Sequence, residues 1–164
     1  MIDYGTIAGF SIYHTARGRD VSTYLDADVE AAKLIASEWI DARYRALFDG
    51  TKVGMRDQVR EWPRTGAMDI DGYSIGAVAI PTEVENATYE ATLKQLVNPG
   101  SLSVDWVPPK YKRASVDGAV SVDFVMFDSA TDAQTRFKIV DEILAPILTG
   151  HNNSSALSGA TYRT

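Results

Sequence analysis

Apolar positions along the chain fall into three helical stretches, one stretch of period two and a final helical stretch. From about Thr6 to Arg17, Ile7, Phe10 and Tyr13 recur at helical spacing before Gly18 interrupts them, which predicts a short helix lying over something larger. From about Asp26 to Phe48 the period is strongest. Val29, Ala31, Ala32, Ile35, Ala36, Trp39, Ile40, Ala42, Ala46 and Leu47 share about half a helical circumference. A stripe that wide exceeds what one neighbour covers, so this helix is expected to lie between two elements. A third helix is signalled by Thr82 with Glu85, a capping box, and ends at Asn98-Pro99-Gly100. Val84, Ala87 and Ala91 occupy one of its faces, Tyr89, Leu93 and Leu96 another.

After Trp106-Val107-Pro108-Pro109 the period changes to two. Lys110 to Val116 and Ala119 to Met126 flank Asp117-Gly118, the commonest signal for a two-residue type I′ hairpin. That turn would set Tyr111 opposite Phe124 and Lys112 opposite Asp123. A last helix, capped by Thr131 with Gln134, carries Phe137, Val140, Leu144 and Ile147, and Pro146 should kink or restart it. The stretch from Asp49 to Ala79 is rich in turn signals and reads as a structured loop with one helical turn near Arg56 to Trp62. Trp62, Pro63 and Tyr73 are its expected anchors. From Gly150 the chain is small and polar, has little to bury, and is expected to order only on a partner. The reading is therefore mainly α with a β-hairpin: a small helical bundle, a C-terminal two-stranded hairpin and a final helix in one domain over residues 1–149, then a flexible tail over 150–164.

Composition narrows the chemistry. The 164 residues suffice for one core, and the sequence holds no cysteine, which removes thiolate nucleophiles, disulfides and Cys-based zinc sites. No run of about 18 apolar residues occurs and the first residues lack a basic-then-apolar segment, so neither a membrane span nor a signal peptide is expected, and a soluble intracellular product is. The formal net charge of −6 argues against wrapping nucleic acid through phosphate contacts alone.

Motifs for catalysis are wanting. The two histidines, His14 and His151, stand in no recognisable spacing with a carboxylate or hydroxyl. Asp69-Ile70-Asp71-Gly72 fails as a calcium loop because, with Gly72 sixth, Ala67 and Val78 fall at the first and twelfth ligand positions; a turn tied by aspartate side chains fits better. Gly50-Thr51-Lys52-Val53-Gly54 has the wrong order for a phosphate loop. Lys52, Arg56, Arg60 and Arg64 recur every four residues, but Pro63 cuts any shared helical face; these cations are expected to be solvated or to pair with a neighbouring subunit. Lys110-Tyr111-Lys112-Arg113 interleaves basic and aromatic residues as a single-strand groove requires, although a charged, edge-protecting hairpin explains it as well. No catalytic residue, metal or cofactor is expected.

Trp62-Pro63-Arg64-Thr65-Gly66-Ala67, Asp71-Gly72-Tyr73 and Ile80-Pro81-Thr82-Glu83-Val84 together resemble the core signature of the head-to-tail adaptor, or head completion, proteins of tailed bacteriophages. Tyr4, Thr6, Tyr13, Arg17-Gly18, Glu38 to Asp41 and Ile143 to Leu148 extend the resemblance over most of residues 4 to 148. Met55 after Gly54 departs from that family's more glycine-rich loop. The resemblance implies a homo-oligomeric ring, usually of twelve copies, under the portal protein at the virion neck. Such a ring extends the channel for genomic double-stranded DNA and docks the tail or a further connector. It implies structural anchors at Trp39, Trp62, Pro63, Arg64, Gly66, Gly72 and Pro81. Subunit or partner contacts are expected at Lys110, Tyr111, Lys112, Arg113, Asp117, Gly118, Phe124, His151, Tyr162 and Arg163, with the hairpin against the adjacent subunit and the tail on the portal. Sequences of this kind are also described as DnaT-like single-stranded DNA-binding proteins, which makes single-strand binding the alternative function.

Overall fold

A computed structural model describes residues 3–103, 113–116, 120–123 and 137–149. Four helices form its body: α1 (Ile7–Thr15), α2 (Asp26–Tyr44), α3 (Thr82–Val97) and α4 (Lys138–Leu144). Four short strands accompany them, β1 (Thr51–Lys52) with β2 (Arg64–Thr65) and β3 (Arg113–Val116) with β4 (Val120–Asp123), each pair antiparallel. The fold is thus mainly α with a hairpin before the last helix. The tail from residue 150 and the expected cap at Thr131 and Gln134 lie outside the described residues.

α1 starts where Thr6 accepts a hydrogen bond from the Gly9 amide at 2.9 Å and stops before Gly18 at φ 71°, the left-handed conformation in which glycine costs least. It packs on α3 through an unusually close approach. A Cβ on Gly9 would stand 2.2 Å from the Tyr89 hydroxyl, and that hydroxyl accepts the Thr6 amide at 3.1 Å. Phe10, Tyr13, Val21, Val29 and Tyr89 close this smaller apolar cluster.

α2 is the central helix, packed on α3 and α1. Asp26 and Asp28 in its first turn complement the helix dipole. Its buried face is narrower than the apolar stripe suggested. Val29, Ala32, Ala36, Ile40 and Tyr44 are inside, together with Lys33, Ser37 and Asp41, whereas Ala31, Ile35, Ala42, Ala46 and Leu47 are exposed. The helix also ends at Tyr44, four residues before the expected end at Phe48. Apolar residues therefore remain on a flank that is exposed among the described residues.

The capping box at α3 is corrected. Thr82 is already the first helical residue, the cap is Pro81, and no side chain closes the turn. Pro81, fixed at φ −59°, instead offers its carbonyl to the Val84 and Glu85 amides at 3.0 and 3.2 Å, and Glu83 and Glu85 supply first-turn charge. The two apolar faces of α3 are as expected. Val84, Ala87 and Ala91 enter the main core with Tyr4, Ile40, Trp62, Val140 and Leu144, while Tyr89 enters the α1 cluster with Leu93 and Leu96 beside it.

The hairpin register is also corrected. Arg113 pairs with Asp123 and Val116 with Val120, so three residues connect the strands and the pairing moves by one from the expected Lys112 opposite Asp123 and Tyr111 opposite Phe124. Three-residue connections are the next commonest after two-residue turns, and a one-residue change reverses which face each side chain takes. In the last helix Phe137 is extended and α4 begins at Lys138. Pro146 falls in a 3₁₀ turn, Ala145–Ile147, that restarts the chain as expected, with Val140, Leu144 and Ile147 buried.

The α1–α3 contact generates a prediction. Gly9→Ala forces the Tyr89 ring from its seat and should lower stability by about 1–3 kcal/mol in thermal or denaturant unfolding. Adding Tyr89→Phe should recover part of that loss, because it removes the atom that the new methyl meets.

Candidate functional site

The stretch between α2 and α3 is held by ion pairs that link it back to α2. Asp41, 5% exposed, accepts the Tyr4 hydroxyl at 2.5 Å, the Arg60 guanidinium at 3.4 Å and the Glu61 amide at 3.4 Å. The Tyr4 oxygen in turn accepts the Trp62 amide at 3.1 Å. Burial raises the Asp41 carboxyl above the ordinary carboxylate range despite these partners, and burial next to Asp41 raises the Tyr4 phenol far above its usual value. The partners offset part of the desolvation of Asp41, and the Asp41 carboxylate holds Tyr4 as the neutral, donating phenol. Arg60 also meets Glu38 at 3.6 Å.

Arg64 organises the base of the same loop. Its guanidinium donates to the carbonyls of Asp49 at 2.6 Å and Gly50 at 2.7 Å, and to the Glu61 carboxylate at 2.9 Å. Lys52 meets Glu61 at 3.6 Å. The expectation that Arg60 and Arg64 are solvated or pair with another subunit is thus corrected: both are buried on partners within the chain. The helical turn expected over Arg56 to Trp62 is only a 3₁₀ turn at Met55–Asp57. Two-residue strands β1 and β2 close the loop, and Gly50 at φ 70° is required there because a Cβ would stand 2.5 Å from the Thr65 carbonyl.

The expected anchors separate into two kinds. Trp62 is 1% exposed and packs edge-on against Phe48, and its indole nitrogen is buried without a hydrogen-bond partner among the described residues. Pro63 is half-buried and its carbonyl accepts Gln58 at 2.9 Å. Trp39 is half-buried against Phe137, with Arg43 over its ring. Pro81 is buried. Gly66 and Gly72 hold positive φ of 72° and 85°. Tyr73 is not an anchor, being 72% exposed. Its backbone is tied instead, since its amide donates to the Asp69 carboxylate at 2.8 Å and its carbonyl accepts the Asp69 amide. The aspartate-tied turn read at Asp69 is present, with the Asp71 amide also on Asp69. Of the expected contact residues, Arg113 lies in β3; Lys110, Tyr111, Lys112, Asp117, Gly118, Phe124, His151, Tyr162 and Arg163 lie outside the described residues.

A second buried knot escaped sequence reasoning. Glu90, 2% exposed, takes both contacts of Arg19 at 2.8 and 2.9 Å and the Tyr13 hydroxyl at 3.1 Å. His14, fully buried, sits beside it with Nε2 3.1 Å from the Tyr89 carbonyl and Nδ1 3.4 Å from Arg19. A carbonyl accepts and a guanidinium donates, so these partners assign the neutral ring with its proton on Nε2. Burial lowers the His14 pKa, Arg19 and Arg17 push the same way, and the Tyr89 carbonyl and Glu90 oppose them. Burial and Glu90 push the Tyr13 phenol up to about 12. The knot fastens α1 and the 19–25 loop to α3. The segments are more than 70 residues apart, and no local spacing announces them.

Two surface clefts complete the geometry. One, about 320 Å³, is lined by Asp49, Met68, Asp69, Ile70, Leu148 and Thr149. The other, about 330 Å³, runs along α2 between Asp3, Ala27, Glu30, Ala31 and Leu34. In the first, the Thr149 hydroxyl donates to the Leu47 carbonyl at 2.8 Å rather than to either carboxylate; the second holds no hydroxyl. Among the described residues no group of three or more acidic or histidine side chains could hold a metal, and no helix is long and apolar enough to cross a membrane.

Residues 3–164 match the family described as "Putative DnaT-like ssDNA binding protein", and the chain belongs to that family. The description is of a binding protein, not of an enzyme. No curated protein and no solved structure matches the chain.

Two predictions follow from the knots. Arg64→Met should cost about 3–5 kcal/mol in denaturant unfolding, because it leaves Glu61 with the longer Lys52 contact alone and takes the Arg64 donors from the Asp49 and Gly50 carbonyls. At His14 the unfolded chain takes up a proton at a higher pH than the folded one. The stability that its neutral ring contributes is therefore complete above about pH 6.5 and is lost as pH falls. The stability advantage of the wild type over His14→Gln should accordingly shrink between pH 7.5 and 5.

Proposed function

We propose that this protein is a structural subunit of a tailed-phage neck, a ring of identical copies seated on the portal that continues the DNA channel and receives the tail or a further connector, with no catalytic step of its own. The observation that carries this reading is the distribution of side chains between inside and outside. Ile12 on α1, Leu25 ahead of α2, Met55 in the central loop and Val78 ahead of α3 are 70%, 70%, 80% and 90% exposed. Isolated exposed apolar residues are ordinary, but large ones on several separate elements suit a chain that is covered by others.

The same distribution weighs against a single-strand groove in the described body. Such a groove needs aromatic faces for stacking bases and cations for phosphates. Here Tyr4, Phe10, Tyr13, Trp62 and Phe48 are buried, and so are Lys33, Arg60 and Arg64. The excess of acid over base across the chain suits a channel wall past which DNA must slide. The order of Trp62-Pro63-Arg64, Asp71-Gly72 and Ile80-Pro81, which resembles adaptor proteins, supports the same reading. Single-stranded DNA binding is the second reading, favoured by the family description and by Lys110 to Arg113.

Electron microscopy of the full chain mixed with its portal protein tests the proposal. A ring of density at one end of the portal is expected, with oligonucleotide binding weak and nearly flat in salt. A bare portal, together with oligonucleotide affinity that falls steeply with salt and drops on changing Tyr111, Lys112 and Arg113, would overturn it.

A further inference from the structure

We infer that the tip of the β1–β2 loop of one copy seats in the cleft along α2 of the next copy, so that two different patches on each chain make the ring contact. The inference rests on the ring reading above and names the surfaces it would use.

The tip is rigid and apolar on its outer side. Gln58 spans it, accepting the Gly54 amide at 2.9 Å and donating to the Arg60 and Pro63 carbonyls at 2.9 Å each. Arg60 and Trp62 fasten its inner side to Asp41 and Tyr4. Val53, Met55 and Val59 face outward, 46%, 80% and 74% exposed. Met55 has φ 53°, a left-handed conformation that a side chain adopts at a cost and that persists only where its surroundings impose it. Preorganised apolar groups of this kind lose little freedom on docking.

The α2 cleft complements it. Ala27, Ala31 and Leu34 make a small-residue apolar floor in about 330 Å³, and Asp3 and Glu30 stand at its edge. Asp3 is taken by Lys33 at 3.1 Å; Glu30 has no ion pair among the described residues, and neither does the exposed Arg56 at the tip. An unbranched thioether suits an irregular apolar floor, and Arg56 then meets Glu30. The tip does not line the cleft of its own chain. It is clamped to α2 at Asp41, ten residues and about 15 Å along the helix from Ala31. Another copy must supply it, and a contact between two unlike patches closes into a ring when the rotation allows.

The test counts copies of the full chain per portal by native mass spectrometry. All substituted positions are exposed, and unchanged thermal melts check that each variant folds. Met55→Asp, Ala31→Arg, Arg56→Glu and Glu30→Arg should each raise the concentration for half-occupancy at least tenfold. Combining Arg56→Glu with Glu30→Arg in one chain should restore much of it. A mixture of Met55→Asp and Ala31→Arg chains, which has one intact tip and one intact cleft, should give adjacent pairs without closed rings. Wild-type occupancy in every single variant, or a charge-exchanged chain no better than its parents, overturns the tip-and-cleft contact while the ring stands. Rings that form normally but lose the next connector assign the tip to that connector instead. A wild type that never gathers on the portal overturns the ring reading itself.

Discussion

A carboxylate buried on the central helix is the constraint on which the rest of this structure depends. Asp41 cannot be left alone inside the protein, because an isolated buried charge is far costlier than any packing gain at that site. It is compensated by Tyr4 from the N-terminal segment and by Arg60 and the Glu61 amide from the central loop. Each partner fixes a stretch of chain with no regular structure of its own. Trp62 then follows into the core on the Tyr4 hydroxyl, and the loop from Gly50 to Ala67 becomes a rigid part of the body.

The knot around Glu90 does for α1 what Asp41 does for the loop. α1 is short and amphipathic only weakly, and helices of that length owe their stability to packing. Arg19, Tyr13 and Glu90 join its end to α3, while Gly9 lets Tyr89 come against its start. Polar ties of this sort contribute specificity of arrangement more than net stability. A chain with few helices and a long loop needs that specificity if its surface is to present the same shape in every copy.

The sequence was most legible where the period is long. Helices α1, α2 and α3 lie where Phe10, Ile40 and Ala87 recur, and the stop at Asn98-Pro99-Gly100 is real. It was least legible where a single residue decides. One more residue in the connection put Arg113, not Lys112, across from Asp123, and Pro81 displaced Thr82 as a cap because its fixed φ already presents a carbonyl to the first turn. Strands of two residues, β1 and β2, have no period to read. The candidate surfaces were partly visible. The half-circumference stripe on α2 gave the apolar flank, but that Ala31 and Ile35 stay uncovered follows only from where α1 and α3 pack. The spacing of Lys52, Arg56, Arg60 and Arg64 gave the cations, and the burial of Arg60 on Asp41 and of Arg64 on Glu61 depends on contacts that no local pattern encodes.

Buried polar ties make the central loop a fixed feature of the fold, so that Val53, Met55 and Val59 are held outward as a preformed apolar surface, the one on which the proposed contact between copies rests. Native-state hydrogen exchange of the free protein tests this most directly. The amides of Trp62 and Glu61 should exchange only with global unfolding, with the same free energy as amides in the middle of α2 and α3. Exchange of those two amides through local opening, while α2 and α3 stay protected, would contradict the claim.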